Sequence, residues 1–122
     1  MAICIPFIGV PDLEKTITWY ENLGFRCTGS NRFWEPGSEL VWAQLEWEGA
    51  AFMLFPSMRD SSDDIRDAGL YFKVRKMDGL IDKLKECAKI IEVTEAAIYG
   101  KEEVVFEDLN GYRITFTKEP SF

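Results

Sequence analysis

The 122-residue sequence contains no histidine. Because histidine is the commonest general base and the commonest zinc ligand, its absence excludes Ser-His-Asp and Cys-His catalysis. A metal site would have to be built from carboxylates, thiolates or carbonyls. Cysteine is also scarce: the three cysteines, Cys4, Cys27 and Cys87, contain no Cys-x-x-Cys pair. We therefore expect a reduced, cytoplasmic protein and not a disulfide-linked secreted one.

Positive charge is in short supply as well. Fourteen Lys and Arg against 21 Asp and Glu give a net charge of −7. An acidic surface repels the phosphate backbone, so we expect no nucleic-acid partner. The apolar run at residues 2–10 is too short to span a membrane and lacks the preceding basic residues of a signal peptide. The charge fits two uses, solubility and the attraction of a cationic ligand.

The hydrophobic pattern divides the chain into two halves with the same order of elements. In the first half, Asp12 is a good N-cap, apolar residues recur at helical spacing, and Gly24 fits a C-cap, which together predict a helix over 12–23. In the second half, the same spacing predicts a helix over 77–87. Alternating segments and the turns Glu48-Gly49 and 108–111 predict hairpins after each helix.

Each half therefore reads strand, helix, strand, strand, strand. We predict an α+β fold in a single domain spanning 1–122, built from two βαβββ units that form a curved mixed sheet. The first unit is expected at about 1–58, a polar connector at 59–65 and the second unit at about 66–120. A unit of this size cannot bury both faces of its own sheet.

Four segments resemble motifs of the glyoxalase / bleomycin resistance / dioxygenase superfamily, also called vicinal oxygen chelate: 5–16, 19–25, 99–102 and 107–112. The strongest are the Trp19–Phe25 helix end and the Asp108–Gly111 turn, where Leu109 replaces the usual proline. The resemblance implies a cup-shaped sheet and a homodimer.

The resemblance also places the metal ligands of that superfamily at four positions. They fall on Ile5, Leu54, Gly69 and Thr115, of which only threonine has a side-chain donor, and that a poor one. We therefore expect no metal, no cofactor and no catalytic residue. This favours the metal-free, bleomycin-resistance-like branch, whose members sequester a ligand instead of converting it.

If those four positions face the cup, strand alternation assigns the rest. Met53 and Phe55 are then expected in the core. The predicted ligand-binding residues are Phe7, Trp34, Trp42, Gln44, Phe52, Leu54, Tyr71, Arg113 and Thr115. An aromatic cup of this kind fits a planar aromatic compound, and the net charge favours a cationic one.

Two alternatives stay open. The aromatic residues could pack against a partner subunit, so that the cup holds no ligand. The chain could also be a metal-independent lyase, isomerase or dioxygenase of the same fold that uses Glu46, Tyr71 or Arg113.

Overall fold

A computed structural model describes residues 2–32, 39–57, 68–77, 79–96 and 101–118. The chain divides into two compact units, Met1–Asp63 and Asp64–Phe122. Each contains one helix and one four-stranded mixed sheet in the order βαβββ, which confirms the predicted fold class. Neither helix in the described part of the chain has the length and apolar character needed to cross a membrane. The elements of the first unit are β1 (Phe7–Val10), α1 (Leu13–Leu23), β2 (Arg26–Arg32), β3 (Leu40–Trp47) and β4 (Ala50–Pro56).

The sheet of the first unit has the strand order β1-β4-β3-β2. β1 runs parallel to β4, and the other pairs are antiparallel. The predicted turn between β3 and β4 is present, with Glu48 at φ 48° and Gly49 at φ 91°. These two left-handed residues give the backbone twist that a two-residue hairpin requires.

Helix α1 begins and ends where the sequence predicts. The Asp12 side chain accepts a hydrogen bond from the Lys15 backbone N–H at 3.0 Å. Gly24 adopts φ 115°, a left-handed C-cap that a residue with a Cβ rarely takes. Tyr20 lies on the buried side of α1. Its ring centroid is 5.0 Å from that of Phe25 and 5.3 Å from that of Phe52. This aromatic cluster fixes the helix to one face of the sheet.

The second unit repeats the topology. Its elements are β5 (Gly69–Lys73), α2 (Leu80–Cys87), β6 (Lys89–Ala96), β7 (Lys101–Glu107) and β8 (Arg113–Lys118), and its strand order is β5-β8-β7-β6. The helix starts at Leu80, later than the predicted residue 77. Gly79 precedes it at φ 72°, a conformation outside the helical region. Met77 is nevertheless buried, so its apolar side chain reflects packing in the core and does not indicate that the residue belongs to the helix.

The β7–β8 turn is built around a buried carboxylate. One oxygen of Asp108 accepts from the backbone N–H of Asn110 and from that of Tyr112, both at 2.9 Å. The backbone N–H of Gly111 donates to the Asp108 carbonyl. The predicted hairpin turn is thus confirmed, with its donors satisfied inside the turn.

Candidate functional site

The side of the first sheet that faces away from α1 carries two of the five aromatic residues named as ligand-binding, Phe7 and Trp42. We call it the aromatic face and define it as Phe7, Trp42, Gln44, Met53 and Phe55. Strand register brings these residues together, because Phe7 and Gln44 are both paired with Met53, from either side. Side chains at paired positions point to the same side of a sheet.

The aromatic face combines stacked rings, a thioether and an indole. Phe7 and Phe55 are stacked, with ring centroids 4.7 Å apart and an interplanar angle of 29°. The Trp42 indole N–H donates to the Met53 sulfur at 3.0 Å. Phe7 is 54% exposed, which is unusual for a phenylalanine and leaves one of its ring faces accessible. The surface is apolar, and the Gln44 side-chain amide supplies hydrogen-bond donors and an acceptor at one side of it.

A carboxylate lies at the polar end of the same side of the sheet. Glu46 follows Gln44 by two residues on β3, and its side chain is 29% exposed. An Arg26 guanidinium nitrogen approaches one Glu46 oxygen at 3.7 Å, from a side chain that is itself largely exposed. An exposed ion pair this long contributes little to stability. Glu46 therefore remains available to a cationic group.

The placement of Phe52 and Leu54 on the ligand side is wrong. Both are 1% exposed and lie on the α1 side, where Phe52 contacts Tyr20 and Phe25. Met53 and Phe55, expected in the core, lie on the aromatic face instead. The turn length contained the signal: a two-residue turn pairs Trp47 with Ala50, which puts Phe52 opposite the core residue Leu45.

In the second unit, three of the residues predicted to bind a ligand lie on one side of the sheet. Tyr71, Arg113 and Thr115 share the side of the sheet opposite the core residues Ile114 and Phe116. Tyr71 is 56% exposed, and its hydroxyl donates to a Glu103 carboxylate oxygen at 3.2 Å. Glu103 was not predicted as a site residue. It precedes the buried Val104 on β7, and therefore its side chain lies on the same side of the sheet as Tyr71. Trp34 lies outside the described residues.

The residues at the superfamily's metal positions do not fit a divalent cation. Ile5 and Gly69 have no donor, Leu54 points into the core, and Thr115 has a single hydroxyl. At Gly69 a side chain has no room, because a Cβ there would lie 2.7 Å from the Arg113 carbonyl oxygen. Among the residues that the structure describes, no three Cys, Asp or Glu side chains are grouped as metal ligands would be.

Proteins built from two consecutive βαβββ units form one structural class, whose members have many activities. The profile of the Glyoxalase/Bleomycin resistance protein/Dioxygenase superfamily matches residues 4–116. The chain therefore belongs to this superfamily. No curated protein matches the sequence.

Solved structures show the same fold at low sequence identity. TioX from Micromonospora sp. ML1 is 16% identical with a TM-score of 0.74, over 96% of this chain and 95% of that chain. The fosfomycin resistance protein FosX from Listeria monocytogenes is 13% identical with a TM-score of 0.71, over 97% and 93%. A glyoxylase/bleomycin resistance protein/dioxygenase domain from Frankia sp. EAN1pec is 18% identical with a TM-score of 0.68, over 98% of each chain.

Proposed function

We propose that this protein binds and sequesters a planar aromatic compound on the aromatic face of its first unit, without a metal. The observation that carries the proposal is the exposed Phe7 ring, which is stacked on Phe55 and paired with Met53, whose sulfur in turn contacts Trp42. Aromatic rings attract further rings in offset or edge-to-face geometry, and a thioether adds favourable contacts with ring edges. Such a surface suits a flat ligand.

The charge of the protein favours a cationic ligand. The net charge of −7 attracts cations at a distance, an effect that salt weakens. Close to the face, ring quadrupoles attract a cation, and the Glu46 carboxylate lies two residues from Gln44 on the same side. The net charge of the protein and the groups on the aromatic face therefore both favour a cation. We therefore expect a planar cation to bind more tightly than a neutral compound of the same size.

Binding without a metal is supported by the donor set. The resemblance places the ligand positions on Ile5, Leu54, Gly69 and Thr115, of which only Thr115 has a side-chain oxygen. Leu54 faces the core, and Met53 and Phe55, its neighbours on the aromatic face, also lack an oxygen or nitrogen donor. Elemental analysis of the purified protein should find well under one zinc, manganese, nickel or iron per chain. A stoichiometric metal that survives dialysis would contradict this part of the proposal.

We further propose a cytoplasmic homodimer. The three cysteines, Cys4, Cys27 and Cys87, contain no Cys-x-x-Cys pair, a composition that suits a reducing compartment. Among the described residues outside the aromatic face, the large apolar side chains that are exposed favour association: Ile3, Tyr71, Ile91 and Val93.

The ligand proposal is tested by calorimetric titration with proflavine, a planar tricyclic cation. Wild-type protein should bind it saturably, and Trp42→Ala should weaken binding by about tenfold or more, equivalent to roughly 1.4 kcal/mol. Trp19→Ala is the matched control, since Trp19 is on α1, on the other side of the sheet. Proflavine should be recovered unchanged.

Three results would contradict the proposal. Wild-type protein that shows no saturable binding removes the ligand site. Equal losses in Trp42→Ala and Trp19→Ala place the binding elsewhere. A Trp42→Ala protein that dissociates into monomers shows that Trp42 packs against a second subunit and does not contact a ligand.

A further inference from the structure

Two glycines lie under the rings of the aromatic face. A Cβ added to Gly29 would lie 3.0 and 3.1 Å from two carbons at the far edge of the Trp42 ring. A Cβ added to Gly9 would lie 3.1 and 3.2 Å from two carbons of the Phe55 ring. Real Cβ atoms are rarely this close to other carbons, so a side chain at either position would displace the ring. Neither glycine has the positive φ that would require a glycine for backbone reasons.

The two rings lean across neighbouring strands in opposite directions. Trp42 belongs to β3 and reaches over Gly29 on β2, while Phe55 belongs to β4 and reaches over Gly9 on β1. β1 and β2 are the two edges of this sheet, separated by about 14 Å at the usual strand spacing. The Trp42 ring extends from Met53 on β4, whose sulfur accepts its indole N–H at 3.0 Å, to Gly29 on β2.

We propose that Gly9 and Gly29 are specificity-determining residues that make the aromatic face wide enough for an extended planar compound of several fused rings. Because each glycine lets a ring lie across the neighbouring strand, the aromatic surface extends toward both edges of the sheet. One six-membered ring covers only one side of it, whereas three fused rings reach from one side to the other. This inference rests on the proposed function, since it specifies the size class of the same ligand.

The matched probes are proflavine, with three fused rings, and benzamidine, a cation with one ring. Wild-type protein should bind proflavine at least about tenfold more tightly than benzamidine, because more ring area is stacked. Gly29→Val should displace the Trp42 ring from its place over β2 and so narrow the aromatic surface. We expect it to weaken proflavine binding by about fivefold or more and to leave benzamidine binding within about twofold, which removes most of the preference.

Ser30→Val is the control, because it adds the same β-branched side chain on the same strand, at a position paired with the core residue Ala43. It should leave both affinities unchanged. If Gly29→Val does not fold, as judged by thermal melting, Gly29→Ala and Gly9→Ala replace it. Their smaller side chains should displace the rings less and change the two affinities in the same direction. Trp42 emission in the ligand-free proteins gives a separate readout, and it should change in the Gly29 variants but not in Ser30→Val.

The outcomes separate this inference from the proposed function. Tight proflavine binding that is equal to benzamidine binding, or that is unaffected by the Gly29 and Gly9 variants, overturns the role of the glycines and leaves the ligand site intact. Absence of binding by both probes contradicts the proposed function and this inference with it. Loss of both affinities to the same extent in Gly29→Val shows general damage to the site and no role in selecting ligand size.

Discussion

Phe52 and Phe55 are three residues apart on one strand and should behave in opposite ways. Phe52 is buried among Tyr20 and Phe25, so Phe52→Ala should reduce the free energy of unfolding by about 3–5 kcal/mol. Phe55 is only partly buried, and Phe55→Ala should reduce it by about 1–2 kcal/mol. Urea unfolding followed by circular dichroism measures both. A larger loss in Phe55→Ala than in Phe52→Ala would reverse the assignment of faces on β4.

The error at Phe52 and Leu54 has a physical origin. Residues 52–55 are all apolar, so their own pattern cannot reveal which of them face the core. The information lies in the hairpin register, which is set by the turn at Glu48 and Gly49 and by the core residue on the preceding strand. On β3 and β8, polar residues alternate with apolar ones, and there the faces of Trp42, Gln44 and Thr115 follow from the sequence.

The Cys87 thiol offers a test that depends on pH. Partial burial raises the pKa of Cys87, and the negative charge of Glu86 raises it further. Its thiol also donates a hydrogen bond to the Lys83 carbonyl at 3.2 Å. Because the thiolate is the reactive form, alkylation by iodoacetamide should require a higher pH at Cys87 than in the simple thiol of an unstructured cysteine peptide.

Peptide mass spectrometry after timed alkylation gives the pH midpoint for Cys87 alone. Glu86→Gln should lower that midpoint, since it removes the charge that disfavours the thiolate. A midpoint at or below that of a simple thiol, or no response to Glu86→Gln, would show that this thiol is more exposed than the structure has it.

Among the elements, the β7–β8 hairpin depends most on a single side chain. Asp108 is 7% exposed and satisfies two backbone N–H groups, so Asp108→Ala should reduce the free energy of unfolding by about 2 kcal/mol. Asp108→Asn keeps a carbonyl acceptor and should lose less than half as much. Thermal unfolding compares the three proteins. Equal losses in both variants would show that the negative charge matters and not the hydrogen-bond acceptor.

Element order was predictable because each helix is amphipathic and each hairpin has its own turn residues. Element boundaries were less predictable where apolar spacing continues past the end of a helix. Met77 has the spacing that would start α2 earlier. However, Gly79 lies between Met77 and Leu80, the first residue of the helix, and its left-handed conformation is not helical. A single left-handed glycine thus decides the start of α2, and the periodicity of apolar residues does not register it.

At the scale of the whole molecule, the chain should assemble into a homodimer. Light scattering should then give about 28 kDa, twice the chain mass of 14.0 kDa, at micromolar concentration. Association would remove exposed apolar side chains from water, which is the driving force expected for Tyr71, Ile91 and Val93. A mass near that of one chain over the whole concentration range would contradict the dimer.

The class of the molecule could be predicted from its sequence, whereas the ligand surface could be predicted only in part. The repeated element order and the Trp19–Phe25 and Asp108–Gly111 motifs are local features, so they are visible in one sequence. The aromatic face depends on contacts between strands, such as the Phe7–Phe55 stack and the rings over Gly9 and Gly29. Such contacts follow from register and ring orientation, which a linear pattern does not contain.

The central claim is that a planar compound occupies the aromatic face of the first unit. Met53 reports on it directly, because its thioether lies in that face beside Trp42, and its methyl group is a sharp signal in nuclear magnetic resonance spectra. Protein labelled with carbon-13 at the methionine methyl groups is titrated with proflavine, and Met53→Leu identifies the signal. We predict that stacking of the ligand shifts the Met53 methyl resonance saturably, while that of Met77, buried in the second unit, stays in place. A Met53 resonance that does not move at saturating proflavine, or a shift at Met77 alone, would contradict the claim.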